Sequence, residues 1–352
     1  MQLSVLRYDL PLADPFRTTY ETRTVQPSLI VRLTDAAGRS GLGEAAMTRY
    51  YGHDPAVRAA ELERLAPHFA PLSALTPEGL HELLDTVAPE LNPFLRCALD
   101  AATHDLWAKS QNKRLGDCWD QPARQTPTCY TIGAAPLPEM IRKLTAKPWP
   151  VYKIKLGAAP DDLAVIRALR EHTDAPFYVD ANTGWTARQT IDLSGSLRDL
   201  GVVFIEQPLP VEDRAGQAAA YRHSALPLIA DESCQTEGDV ARCAELFHGI
   251  NVKTVKCGGL LPARRMIAAA RRRGLRVMAG CMTESSVGIS AIAQLLPELD
   301  YADLDGAMLL AADPATGVTF DPRTGRARYP DRPGTGALLK TDPPSSASST
   351  AS

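Results

Sequence analysis

Lys155, Asp180, Glu206, Asp231 and Lys256 recur along the 352-residue chain at steps of 25, 26, 25 and 25 residues. Each closes a short strand-like run: VYKIK, FYVD, VVFIE, LIAD and NVKTVK. Three carboxylates cannot gather unneutralised, because like charges at close range repel by several kcal/mol. A hard divalent cation with oxygen ligands removes the repulsion. Mg²⁺ fits, since it takes carboxylates and fills its octahedron with water or substrate oxygens. Asp180, Glu206 and Asp231 are therefore the expected metal ligands, with one lysine on either side. For any acid alone, a helix N-cap or a surface ion pair is the plainer explanation; five charges in register favour a shared site.

Lys153 and Lys155 alternate along one strand and face the same side. A nearby cation and a second ammonium lower a lysine's pKa. A substrate carboxylate chelating Mg²⁺ would lose its α-proton to one lysine, and the enediolate would be held by the metal and Lys153. Reprotonation by the opposite lysine inverts the carbon, which is the design of a racemase or epimerase. Lys155 and Lys256 are the expected acid/base pair. The plainer alternative for Lys256 is a structural pairing with Glu232.

Such convergence requires strands that all point the same way. One strand, one helix and two loops take about that many residues, the repeat of a (β/α) barrel. The strands read as TCYTIG, VYKIKLG, FYVDA, VVFIEQP, LPLIADE, NVKTVK, LRVMAG and YADLD. Helical stretches such as PEMIRKLTA, LAVIRALREH, PARRMIAAARRR and SVGISAIAQLL separate them. Ahead of the barrel, SLIVRLTD and RSGLGEAAM read as a hairpin. TPEGLHELLDTV is a helix with Thr76 as N-cap and Pro77 at its first position, and NPFLRCALDAATHDLWAKS is another. The expected class is α/β, a (β/α)7β TIM-like barrel with an α+β capping domain. Residues 1–122 form the cap, 123–312 the barrel with the active site, 313–340 a segment returning to the cap, and 341–352 a disordered tail.

Bulk composition narrows the function. Net charge is −3, hydrophobic content 45% and charged content 22%. That is ordinary for a soluble enzyme and offers no basic field for nucleic acid or an anionic membrane. No apolar run approaches the ~18 residues of a membrane span, and the N-terminus does not read as a secretory signal. Seven cysteines, without a CxxC pair, read as reduced thiols of a cytoplasmic protein. The scattered histidines give no zinc-ligand pair.

The motifs Lys153-Ile-Lys155, Asp180-Ala-Asn182, Ile205-Glu206-Gln207-Pro208, Asp231-Glu232-Ser233 and Lys256-Cys-Gly-Gly259 span the whole barrel. Together they resemble the enolase superfamily, muconate-lactonizing subgroup. Asp303-Leu-Asp305-Gly306 resembles the Asp-x-Asp signature of dipeptide epimerases of the L-Ala-D/L-Glu type. The resemblance implies that Asp303 and Asp305 hold the substrate's α-ammonium group. It also implies substrate contacts at Thr131, Lys153 and the loop containing Cys281 and Thr283. In the cap loop Phe16–Val25 it implies an arginine for a distal carboxylate, Arg23 with a two-residue insertion, while Glu21 would turn the preference toward a basic side chain. The implied protein is a homo-oligomer that binds one Mg²⁺ per subunit and epimerises the C-terminal residue of a dipeptide.

Three rivals remain open. An o-succinylbenzoate synthase, N-acylamino acid racemase or muconate-type cycloisomerase would share the intermediate. A non-catalytic, metal-stabilised binding protein would share the metal. A phosphate-binding barrel rests only on Gly258-Gly259 and conflicts with the acidic eighth strand.

Overall fold

The computed structural model of the chain describes residues 1–17, 22–48, 52–122, 124–157 and 161–340. The expected tail at 341–352, and Glu21 of the cap loop, lie outside them. Strands β1 (Gln2–Arg17), β2 (Thr22–Thr34) and β3 (Ser40–Ala46) form an antiparallel sheet. Helices α1 (Pro55–Glu63), α2 (Ala66–Phe69), α3 (Pro77–Val87) and α4 (Pro93–Ser110) follow. Thr76 caps α3 as expected, its hydroxyl accepting from Gly79 N at 3.1 Å. Gly41 and Gly43 let β3 lie flat on α4. A Cβ on either would come within 2.1 Å of Ala102 O or 1.9 Å of Ala98 O.

Eight strands then alternate with helices. They are β4 (Tyr130–Ile132), β5 (Tyr152–Lys155), β6 (Phe177–Asp180), β7 (Val202–Glu206), β8 (Leu228–Ala230), β9 (Gly249–Val252), β10 (Arg276–Gly280) and β11 (Tyr301–Asp303). All are parallel and adjacent in chain order. A parallel bridge between Thr128 and Ala302, with Cys129 N donating to Ala302 O at 3.0 Å, closes the ring. The intervening helices are α5 (Leu137–Ala146), α6 (Asp162–Arg170), α7 (Ala187–Asp199), α8 (Arg214–His223), α9 (Val240–Cys243), α10 (Thr254–Cys257), α11 (Leu260–Arg272) and α12 (Ser286–Ile292). Their apolar faces bury leucines, isoleucines and alanines against the strands, each large side chain contributing roughly 2 kcal/mol.

Inside the ring, side chains are stacked in layers because alternate residues of each strand point inward. The lower layer is apolar and includes Cys129, Val151, Tyr178, Phe204, Ile229 and Met278. Two residues further along six of these strands stand Thr131, Lys153, Asp180, Glu206, Asp231 and Gly280. The period of two thus turns a packed floor into a polar layer.

The C-terminal strands β12 (Ala315–Thr316), β13 (Thr319–Phe320), β14 (Ala327–Arg328) and β15 (Leu338–Leu339) pair as β12–β15 and β13–β14. Ala315 and Ala337 pack with Ile30 and Leu42 of the cap and Val287 of the barrel. No helix among the described residues is long and apolar enough to cross a membrane.

One expectation fails at the sixth barrel strand. NVKTVK is not strand to its end: β9 stops at Val252, and Lys256 lies on the helical turn α10. Val255 is drawn into the apolar core of the cap. The turn closes with Gly258 N donating to Thr254 O at 2.9 Å, with Gly258 at a φ of 93°.

Candidate active site

The polar layer converges on one ammonium group. Lys153 Nζ, 1% exposed, lies 2.7 Å from Glu206 Oε2, 2.8 Å from Asp303 Oδ2 and 3.1 Å from Asp180 Oδ2. These groups come from β5, β7, β11 and β6, so tertiary closure of the ring brings them together. Lys155 Nζ donates to Asp180 Oδ2 at 2.7 Å. On the far wall, Lys253 Nζ donates to Asp231 Oδ2 at 2.9 Å. Asn251 Nδ2 donates to Glu206 Oε1 at 2.7 Å.

Lys253 was not singled out from the sequence, yet it holds the position expected of Lys256. Asn251 points inward to Glu206, and Lys253 follows it by two residues, so the strand alternation carries Lys253 into the ring. Lys253 follows β9 and Lys155 ends β5, four steps apart around eight strands. Gly280 on β10 leaves room for it: a Cβ there would stand 3.1 Å from Lys253 Cε. Lys256 reaches the same carboxylate by another route. Its Nζ donates to Asp231 Oδ1 and Asp231 O, both at 2.6 Å, and to Cys234 O at 3.4 Å. Three donors meet three acceptors, as a structural lysine requires. The carboxylate it meets is that of Asp231 and not Glu232. The even 25-residue comb drew attention to Lys256, which lies on the helical turn past the strand; the strand alternation from Asn251 was the available signal for Lys253.

Burial and charge divide the acids. Burial pushes Asp180 up, but Lys155 and Lys153 outweigh it and hold the carboxyl at about 2. Burial likewise opposes the ionisation of Asp231, and Lys253 and Lys256 overcome it, leaving its pKa well below the ordinary value. Glu206 goes the other way: burial, then the Asp180 charge, raises it to about 7. Burial and Asp231 do the same to Glu232, also to about 7. Burial presses Lys153 down, but Asp303, Glu206 and Asp180 more than compensate and raise it.

The donor set suits a hard cation. Among the described residues no three acids, histidines or cysteines close on one point as metal ligands do. Lys153 Nζ stands where the carboxylates meet, and a single ammonium leaves Glu206 raised to about 7. Carboxylate oxygens are the hard donors that Mg²⁺ binds, so Asp180, Glu206 and Asp231 fit it in chemistry.

Asp303 ends β11, and Asp305 lies just beyond it. Thr131 ties them together: its hydroxyl donates to Asp303 Oδ1 at 3.1 Å and its backbone N to Asp305 Oδ2 at 2.6 Å. Burial, and then Asp303, raises Asp305 to about 7, whereas Lys153 overcomes burial and holds Asp303 below its ordinary range. Cys281 N donates to Asp303 O at 3.0 Å, and Thr283, 4% exposed, follows in the same loop. Arg23 lies in the cap on β2, opposite Phe16, and its guanidinium donates to Gln26 Oε1.

Comparison with known proteins bears on this geometry. Residues 1–118 match the family model for the mandelate racemase / muconate lactonizing enzyme N-terminal domain, and residues 137–342 match the enolase C-terminal domain-like model. The chain is 45% identical over 346 residues to the L-Ala-D/L-amino acid epimerase of Flavobacterium johnsoniae, covering 96% of this chain and 100% of that protein. A Maribacter protein of the same name is 47% identical over 340 residues, covering 96% and 99%. The crystal structure of a Methylococcus capsulatus dipeptide epimerase, complexed with Mg and the dipeptide L-Arg-D-Lys, superposes with a TM-score of 0.85. It is 32% identical, over 96% of this chain and 99% of that one.

Proposed function

This chain belongs to the enolase superfamily and is an isomerase of its dipeptide-epimerase group, and from that premise we propose that it inverts the α-carbon of the C-terminal residue of a dipeptide. The observation that carries the mechanism is the pair of ammonium groups, Lys155 and Lys253, on opposite walls of one acidic cluster. Asp180, Glu206 and Asp231 would hold one Mg²⁺ per subunit, which supplies the positive charge that makes an α-proton beside a carboxylate acidic. Lys155 and Lys253 face the α-carbon from either side. One removes the proton, and the other returns a proton to the opposite face. Lys153 lies beside the carboxylate oxygens on which negative charge builds. Lys256 holds Asp231 from behind.

Asp303 and Asp305 receive the substrate's α-ammonium, and Thr131 orients both acids. The names of the relatives that are 45% and 47% identical support alanine as the N-terminal residue. For the C-terminal residue we propose glutamate or a related side chain, with Arg23 as its partner in the cap. The test is a dipeptide library incubated with Mg²⁺ and the enzyme in D₂O. Alanyl dipeptides should gain one deuteron at the C-terminal α-carbon and appear as both epimers. Exchange confined to N-acylated amino acids would instead assign a racemase of that class.

A further inference from the structure

Outside the barrel wall, between α8 and α9, lies a cavity of about 250 Å³ that the epimerisation does not use. Its lining includes Cys243, Gln217, Arg214, Arg242, Leu246 and Phe247. Cys243 Sγ donates to Ser233 O at 3.4 Å, the carbonyl of the residue just before Cys234, so the two cysteines are neighbours. Gln217 is 4% exposed; its Nε2 is fixed on Leu246 O at 3.1 Å, while its Oε1 is buried without a hydrogen-bond partner. A buried acceptor left unpaired is costly, so the cavity is short of a ligand N–H or O–H. Arg214 gives it positive charge, while the Arg242 guanidinium is already held by Asp239.

We propose that this cavity is a modification site, in which Cys243 is attacked by an anionic low-molecular-weight disulfide and Cys234 resolves the adduct into an internal disulfide. The ligand class follows from the lining: a carboxylate for Arg214, an amide N–H for Gln217 and sulfur for Cys243. Cys243, having given up its proton, attacks one sulfur of the incoming disulfide RSSR. That S–S bond breaks, and one RS⁻ leaves and takes up the proton. Cys234 then attacks Cys243 Sγ and releases the second RSH. Two protein thiols are oxidised and one RSSR is reduced to two RSH.

Selectivity has a physical basis. The neighbouring Cys234 lowers the Cys243 pKa against the opposing effect of burial, whereas burial raises Cys97, Cys118, Cys129, Cys257 and Cys281. Thiolate character governs attack. The new bond would also bear on the site, because Cys234 N donates to Asp231 O at 3.1 Å.

The test is peptide mapping of the full chain after exposure to oxidised glutathione and alkylating quench. Wild type should lose two hydrogens and carry a Cys234–Cys243 link. Cys234→Ser should stop at a single glutathionyl adduct on Cys243, and Cys243→Ser should carry neither. Arg214→Ala should slow modification by oxidised glutathione about tenfold and leave the rate with uncharged 2-hydroxyethyl disulfide unchanged. First modification at Cys118 or any other cysteine, or equal wild-type rates for the two disulfides, would overturn the proposal. Running both serine variants and Arg214→Ala keeps one misfolded variant from deciding the result.

Discussion

Lys253 and Lys256 present the same carboxylate with two ammonium groups of different duty. Lys253 follows the inward-facing Asn251 and meets one oxygen of Asp231. Lys256 is saturated by one carboxylate oxygen and two backbone carbonyls. We expect Lys253→Ala to lose epimerisation by a factor of at least about 10³, since general acid–base groups contribute 10²–10⁴, while Lys155 still exchanges deuterium on one epimer. Lys256→Ala should leave Asp231 short of a partner, so its effect should appear as lost thermal stability and weaker Mg²⁺ binding. Measuring α-deuterium exchange separately on each epimer distinguishes the two; one-sided exchange in Lys256→Ala would reverse the assignment. At Asp303, Asp303→Asn should raise KM for dipeptides more than it lowers kcat, since the proposed role of the lost charge is to hold the ammonium and not to act on the reacting carbon.

At the scale of elements, close backbone contacts build the cap, and a few buried acids tie it to the barrel and the C-terminal segment. β3 lies on α4 through Gly41 and Gly43. Gly43→Ala forces a Cβ into Ala98 O, and overpacking of this kind costs about 1–3 kcal/mol or more; denaturant unfolding measures it. Asp105 on α4 accepts from Leu42 N at 2.9 Å, Thr335 N at 2.7 Å and Lys109 Nζ at 2.7 Å. It therefore joins cap sheet, helix and C-terminal segment. Glu44 crosses from β3 to the start of α12, accepting from Ser285 N and Gly288 N at 3.0 Å and from the Ser28 hydroxyl at 2.7 Å. Beside it, burial first and then the Glu44 charge push Glu284 up to about 8. Its folded pKa lies above the unfolded value of about 4.3, so the folded chain binds that proton more tightly. The stability this contributes is complete below the unfolded value and is lost as pH rises through about 8. Glu284→Gln should therefore raise the melting temperature above about pH 8 by a few degrees and leave it nearly unchanged near pH 4. An equal shift at both would show that Glu284 does not titrate there.

For the whole molecule, the proposed metal would couple the acid cluster to stability. A cation that binds only the folded chain stabilises it by about 2.7 kcal/mol at a hundred times its Kd. Mg²⁺ should raise the melting temperature of wild type, and EDTA should reverse the gain. Asp180→Asn should blunt it. A melting temperature that stays flat through a Mg²⁺ titration would rule out the cluster as the metal site.

Much of this was legible from residue order. Strand–helix alternation is written in the apolar periodicities, and a strand's period of two decides which residues share a face, so the barrel, Lys153, Lys155 and the three acids could be read directly. The same rule marks Lys253 once Asn251 is known to point inward, but nothing local reveals which way Asn251 points. Where β9 stops depends on Val255 finding the apolar core of the cap, a contact with residues more than a hundred positions away in the chain. The paired state of Lys153, with three carboxylates drawn to one nitrogen, likewise arises only when distant strands close into a ring. Short-range patterning set the elements and their faces; long-range packing decided where a strand ended and which lysine donated to the backbone carbonyls of Asp231 and Cys234.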